Sequence, residues 1–214
     1  ACEFVPLDLD DASTIDSFAG ALGSKYGKLD CLVNNAAIAF KAADPTPFEG
    51  QTGPTLRVNF YRTVALTEAL LPLLERSESP RLVNVASMSG RLSQLSAPLQ
   101  QRLSDPALTL GGLRSLVGAF ESDVAAGCHA ARGWGQSNYG FSKLALIAAT
   151  KVLARDYPRF RVNCCCPGYC DTDMSSHRGP RPASEGARNA VLCAFQPDDG
   201  FTGGFVQDCR LSEW

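Results

Sequence analysis

Tyr139 and Lys143 stand one helical turn apart at the start of Ser137-Asn138-Tyr139-Gly140-Phe141-Ser142-Lys143, which runs on into apolar residues from Leu144 to Thr150. In a helix, residues four apart share a face. A phenol ordinarily holds its proton to about pH 10, and a nearby ammonium favours the phenolate and lowers that value. A tyrosine tuned in this way can protonate a carbonyl oxygen as hydride arrives at the carbon. An isolated Tyr-x-x-x-Lys can equally be an aromatic and a lysine that share a helix face. The surrounding elements decide between the two readings.

With 214 residues and 45% hydrophobic content, the chain suits one domain with a sizeable core. The formal charge is -2 and the basic residues are scattered, so nothing points to nucleic acid or an anionic membrane. No apolar run is long enough to span a bilayer, and the N-terminus has no targeting pattern, so a cytoplasmic protein is expected. Nine cysteines without framework spacing point to a reducing compartment. Cys164-Cys165-Cys166 and Cys170 could suggest a metal, but the only histidines are His129 and His177, and buried thiols behave as core residues. No metal is expected. Both histidines are read as exposed loop residues.

Cys2 to Leu9 is read as an apolar strand, followed by a helix capped by Asp11 or Ser13 and stopped by Gly23 or Gly27. Leu29 to Val33 is the next strand, ending on Asn34-Asn35-Ala36-Ala37, so the three elements predict a right-handed parallel crossover. Asp44 to Gly53, rich in Pro and Gly, is expected as loop. A long helix follows from Thr55, with Asn59 in its interior and Pro72 kinking its last turn. An interior Asn is either tolerated at the surface or marks a bend that frees a carbonyl. Arg81 to Ala86 is a strand ending at Ser87-Met88-Ser89-Gly90.

Between Gly90 and Gly133 the pattern departs from strand-helix alternation. Leu113, Leu116, Val117, Phe120 and Val124 predict one amphipathic helix with Arg114, Glu121 and Asp123 toward water. Then come the Tyr139 helix, a strand from Arg161 to Cys166 and the turn Pro167-Gly168-Tyr169. After Asp171-Thr172-Asp173-Met174, a short helix capped by Ser184 runs through Ala194, and Gly203-Gly204-Phe205-Val206 is read as an edge strand. The pattern is that of an α/β, doubly wound, Rossmann-like parallel sheet, whose ligands bind beyond the carboxyl ends of the strands. The Asn34 to Ala37 segment, Ser87 and Pro167-Gly168 all end strands there.

Taken together, Asn34 to Phe48, Val83-Asn84-Val85-Ala86-Ser87, Tyr139 to Lys143, Cys165-Cys166-Pro167-Gly168, Phe205-Val206 and Trp214 resemble the short-chain dehydrogenases/reductases, and among them the monomeric carbonyl reductases. The resemblance implies a catalytic tetrad of Asn59, Ser87, Tyr139 and Lys143. Ser87 would hold a carbonyl and Tyr139 would protonate it. Lys143 would lower the Tyr139 pKa and bind the nicotinamide ribose, and Asn59 would hold a relay water. Asp8 would approach the adenine and Asn34 and Ala36 would line the cofactor by backbone. Pro167, Gly168 and Thr172 would hold the carboxamide, and Met88 and Tyr169 would wall the substrate pocket.

NADPH is the cofactor the resemblance implies, and a small carbonyl compound the substrate. The helical insertion at about 91–133 would cover the face other members use for pairing, which predicts a monomer. Cys166 is read as a buried thiol beside this site. The family usually has Gly where Ala37 stands, so a methyl group would crowd the cofactor slightly. The first two strands and the glycine-rich, pyrophosphate-binding turn have no counterpart in the 214 residues, which reads as a domain truncated at its N-terminus. The alternative reading is a non-catalytic structural or binding protein derived from the same fold.

Overall fold

The computed structural model describes residues 2–214. Four parallel strands form the centre of the sheet: β1 (Cys31–Asn34), β2 (Arg81–Val85), β3 (Arg161–Cys166) and β6 (Phe205–Gln207). β7 (Arg210–Ser212) pairs antiparallel with β6, giving the order β1-β2-β3-β6-β7. Two short strands, β4 (Cys170–Asp171) and β5 (Arg181–Pro182), pair separately. The register sets Asn34 against Asn84 and Val85 against Cys165, so the carboxyl ends of β1 to β3 are level.

The helices are α1 (Ala12–Tyr26), α2 (Phe48–Leu56), α3 (Thr63–Leu74), α4 (Ala97–Leu103), α5 (Leu110–Ala125), α6 (Asn138–Asp156) and α7 (Ala183–Ala194). They cover both sheet faces, as a parallel sheet with crossover helices requires. On one face, Ala86, Cys164 and Cys166 meet Ile147 of α6; on the other, Val83 and Cys165 meet Cys193 of α7. Alternation along β3 thus turns the cysteine run into core for two layers. Burial pushes the Cys164 thiol up to about 12, and Cys165 is held high by its hydrogen bond to Cys193 and by burial.

Four expectations about elements are corrected here. Cys2–Leu9 is not a strand and there is no crossover from it: no strand lies beside it among the described residues, and it runs as extended chain with Leu9 buried against α1 and α3. Phe48 to Gly53, read as loop, is the start of α2; Pro47 caps it and Pro54 falls inside it. Phe205–Gln207 is not an edge strand, because β7 folds back on it through the positive-φ turn at Asp208 and Cys209. The helix of residues 183–194 begins at Ala183, with Pro182 rather than Ser184 at its cap.

The long helix expected from Thr55 is interrupted. Arg57–Arg62 is a π-helical turn between α2 and α3, with Asn59 at its centre. Such turns inside α-helices occur frequently at functional sites.

The insertion is more than one helix. A 3-10 turn (Leu92–Gln94) and α4 precede α5, and Phe120 of α5 packs on Phe141 of α6 with ring centres 4.1 Å apart, beside Trp134 at 5.6 Å. Asp123, expected to face water, is buried because its carboxylate accepts from the Trp134 indole at 2.8 Å. His129, expected in an exposed loop, stacks on Phe48 with ring centres 5.0 Å apart, and both its ring nitrogens are buried without a partner.

Candidate active site

The carboxyl ends of β1, β2 and β3 open into a cleft of about 1420 Å³, lined mostly by apolar atoms. Ser87 extends beyond β2, and its hydroxyl accepts from the Ser89 amide at 3.1 Å, which begins the turn Met88–Gly90. Ser137 caps α6 by accepting from the Gly140 amide at 2.9 Å, so the first turn of that helix presents Tyr139 to the cleft. Ser87 and Tyr139 both line the cleft, with the Ser87 hydroxyl near enough to the phenol to act on it. Serine and tyrosine from two separate elements can therefore face one oxygen atom.

Two glycines permit this approach. A Cβ on Gly90 would lie 2.7 Å from the Leu144 nitrogen and 2.8 Å from the Lys143 carbonyl carbon; one on Gly140 would lie 2.9 Å from the Ser89 carbonyl oxygen. The serine turn and the tyrosine helix are in backbone contact, which only residues without a side chain allow. The Trp214 indole donates to the Gly90 carbonyl at 2.8 Å and fixes the turn from the other side.

Lys143 is 3% exposed, and its Nζ donates to the Val85 carbonyl at 2.8 Å. An ammonium has three donors, so this bond leaves two for a ligand in the cleft that Lys143 lines. Burial lowers its pKa to about 8. The Nζ stands 5.7 Å from the centre of the Tyr139 ring. The phenol itself is pushed up by burial, with the nearby Ser87 hydroxyl acting in the opposite direction. The sequence reading, in which Lys143 brings the phenol down, is not what this arrangement gives: the ammonium is turned to a backbone carbonyl and desolvation prevails.

Asn59 is brought near but not into contact with Lys143. Its amide closes a two-way bond with Ile38, accepting from that nitrogen at 2.8 Å and donating to that oxygen at 2.9 Å; it also donates to the Ser142 hydroxyl at 3.1 Å. The Ser142 hydroxyl in turn donates to the Tyr139 carbonyl at 2.8 Å. Asn59 thus ties the loop after β1 to the helix that carries Tyr139 and Lys143.

Of the other sequence-derived residues, Ala36, Met88, Pro167, Gly168, Tyr169 and Thr172 line the cleft. Gly168 has φ 80°, the left-handed region that favours glycine. Asn34 turns inward: its side chain donates to Thr67 and Asn84 at 2.9 and 2.8 Å, and its own Oδ1 is buried without a partner. Asp8 is not at the cleft. It accepts from the Asp10 amide and borders a separate cavity of about 340 Å³, which adjoins the cleft through Ala36 and Ala37. Ala37, whose methyl group was expected to crowd the cofactor, lines both. Cys165, Met174 and Ser175 also line the cleft, and nothing in their types or spacing marks them for it.

Residues 1–98 match the short chain dehydrogenase family, and residues 124–193 match the family described as Enoyl-(Acyl carrier protein) reductase. The chain is 38% identical over 221 aligned positions to "Carbonyl reductase [NADPH] 1" of Homo sapiens and to "Carbonyl reductase [NADPH] 3" of Rattus norvegicus, covering 99% of this chain and 79% of each relative. Among solved structures, salutaridine reductase from Papaver somniferum superposes with a TM-score of 0.86 at 33% identity, covering 94% of this chain and 81% of that one. Menthone neomenthol reductase from Mentha piperita gives 0.75 at 27% identity, covering 93% and 77%. The parallel sheet with its helices on both faces, the strand-end cleft and these matches lead to one conclusion: the chain belongs to the short-chain dehydrogenase/reductase family and resembles its carbonyl reductases.

Proposed function

We propose that this protein catalyses the NADPH-dependent reduction of aldehydes, ketones or quinones, with Tyr139 as the proton donor. The single observation that carries this reading is that Ser87, Tyr139 and Lys143, from separate places in the sequence, line one apolar cleft at the strand ends. The name that the relatives bear, carbonyl reductase [NADPH], supports the cofactor and the reaction class.

The residues present fit one end of the cofactor. Lys143 would hold the nicotinamide ribose with its two remaining donors, and Pro167, Gly168 and Thr172 would hold the carboxamide from the end of β3. The cavity beside Asp8 would take the adenine. A glycine-rich strand-turn-helix unit for the pyrophosphate does not occur in the 214 residues. NADPH, when bound, supplies the hydride. Ser87 donates to the carbonyl oxygen and orients it, and Tyr139 transfers its proton to the same oxygen as charge develops there. Asn59 links the loop after β1 to α6 through the Ser142 hydroxyl, so that Tyr139 and Lys143 keep their places.

Met88 and Tyr169 offer a half-open apolar mouth, 38% and 55% exposed, suited to bulky, flat carbonyl compounds. We assign the protein to the cytoplasm, where its unpaired cysteines would stay reduced. No helix among the described residues is long and apolar enough to cross a membrane. We also infer a monomer, because α5 packs on α6 and α2 and occupies the face that partner helices would need. The second reading is a non-catalytic protein on the same fold. Loss of NADPH absorbance with a quinone, and its dependence on Tyr139, separates the two.

A further inference from the structure

Beyond β4 the chain makes a tight excursion before returning in β5. Thr172, Met174 and Ser175 of this excursion line the cleft. Its backbone is strained: Ser176 and His177 both have positive φ, 53° and 58°, a region that non-glycine residues seldom occupy. Such a conformation persists only where contacts impose it. The Ser175 hydroxyl supplies some of them, donating to the Cys170 carbonyl at 2.7 Å and accepting from the Thr172 amide at 3.2 Å. Backbone bonds supply others, from the Ser176 amide to the Asp173 carbonyl and from the His177 amide to the Thr172 carbonyl, both at 3.0 Å; the His177 ring adds two more, with Nδ1 2.7 Å from an Asp171 carboxylate oxygen and Nε2 3.0 Å from one of Asp173. One imidazole thus spans the two residues that flank Thr172.

We propose that His177 is a positioning residue: clasped between Asp171 and Asp173, its charged ring holds Thr172, Met174 and Ser175 against the cleft, and the clasp loosens when the ring loses its proton. Only an imidazolium has N–H donors on both sides, so only the protonated ring can serve both carboxylates. The neutral ring must release one.

The charge balance around the ring agrees. The hydrogen bonds to Asp171 and then Asp173, with their charges, raise the His177 pKa above its ordinary value of 6.5. Arg178 adjoins it in sequence. On the neighbouring elements, Arg181 of β5 is paired with Asp208 before β7 and approaches Glu185 of α7, so these charges compensate one another. Because the folded pKa is raised, the clasp is fully present below the ordinary histidine value and is lost as pH rises through the higher, folded one.

The consequence for catalysis rests on the reductase reading; the clasp itself does not, and the test treats them apart. In the first arm, the ring protons of the two histidines are titrated by NMR in the 214-residue chain and in Asp171→Asn. His177 is expected to titrate above the ordinary histidine range and to fall back toward it in the variant. In parallel, tryptic cleavage after Arg178 is followed by fragment mass, normalised at each pH to His177→Gln. Wild type is expected to be several-fold more resistant than the variant below the His177 midpoint and equal to it above. An ordinary midpoint unmoved by Asp171→Asn, or equal cleavage at all pH, overturns the clasp.

In the second arm, KM for menadione with NADPH is measured across the same pH range in a catalytically competent form. It is expected to rise several-fold through the His177 midpoint with kcat little changed, and to be uniformly high and flat in His177→Gln. A flat wild-type KM beside a positive first arm overturns the positioning role. Absence of any NADPH oxidation overturns the reductase reading, and the first arm still decides the clasp.

Discussion

The ammonium of Lys143 lies 5.7 Å from the centre of the Tyr139 ring while donating to the Val85 carbonyl at 2.8 Å, and burial moves the two groups in opposite directions on the pH scale. The phenol is pushed above its ordinary 10 and the ammonium falls from 10.5 to about 8. Lys143 is therefore the group that changes charge first as pH rises. Reduction measured as kcat/KM in His177→Gln, where the His177 effect is removed, should fall as pH passes about 8, and this limb should be absent when Lys143→Met is added, the residual rate being low and flat. Folding stability has the opposite slope. Because the folded value is below the unfolded one, the unfolded chain binds more protons between about 8 and 10.5, so the Lys143 contribution to stability grows across that interval. A His177→Gln profile without a limb near 8 would show that Lys143 is not the group in control.

Gly90 should tolerate no side chain. Its missing Cβ faces the backbone of Lys143 and Leu144, not a yielding side chain, so Gly90→Ala must lift the turn that carries Ser87 off α6. The expected cost is roughly 1–3 kcal/mol of stability, as for other overpacking changes. Activity should fall further than stability does, because Ser87 moves away from Tyr139. Thermal unfolding and turnover of the same preparation check this; an alanine variant with wild-type Tm and rate would refute the close docking.

Asn59→Ala should destabilise the fold by roughly 1–3 kcal/mol, because it leaves the Ile38 amide and carbonyl without their partner. The urea midpoint is the measurement. A variant that loses activity at unchanged stability would instead assign Asn59 to the chemistry alone.

What the sequence made legible is what sits at strand ends. Ser87, Tyr139, Lys143, Pro167 and Gly168 were readable because a parallel sheet directs its carboxyl ends to one side, and the structure gathers them in one cleft. Contacts distant in sequence were not readable. The burial of Asp123 depends on Trp134, and that of His129 on Phe48, neither of which local periodicity reveals. The π-helical turn carries Asn59, whose amide bonds Ile38 on another segment. Cys2–Leu9 shows the converse failure: an apolar run looks like a strand, yet a strand needs a neighbour to pair with.

Phe120→Ala tests the insertion. The ring is fully buried between Phe141 and Trp134, so its removal should cost roughly 3–5 kcal/mol and loosen α5 from α6. Gel filtration should show a monomer for the wild type and self-association for the variant, as the apolar face of α6 becomes available. A wild-type dimer would contradict the monomer assignment.

The most direct test of the central claim, that Tyr139 protonates a carbonyl held by Ser87, is loss of the NADPH absorbance band with menadione. The 214-residue chain should show little turnover by itself. The same chain preceded by the glycine-rich strand-turn-helix unit of a carbonyl reductase should turn over, and its Tyr139→Phe partner should be slower by about 10² to 10⁴. An inert lengthened chain, or equal rates with tyrosine and phenylalanine, would contradict the account.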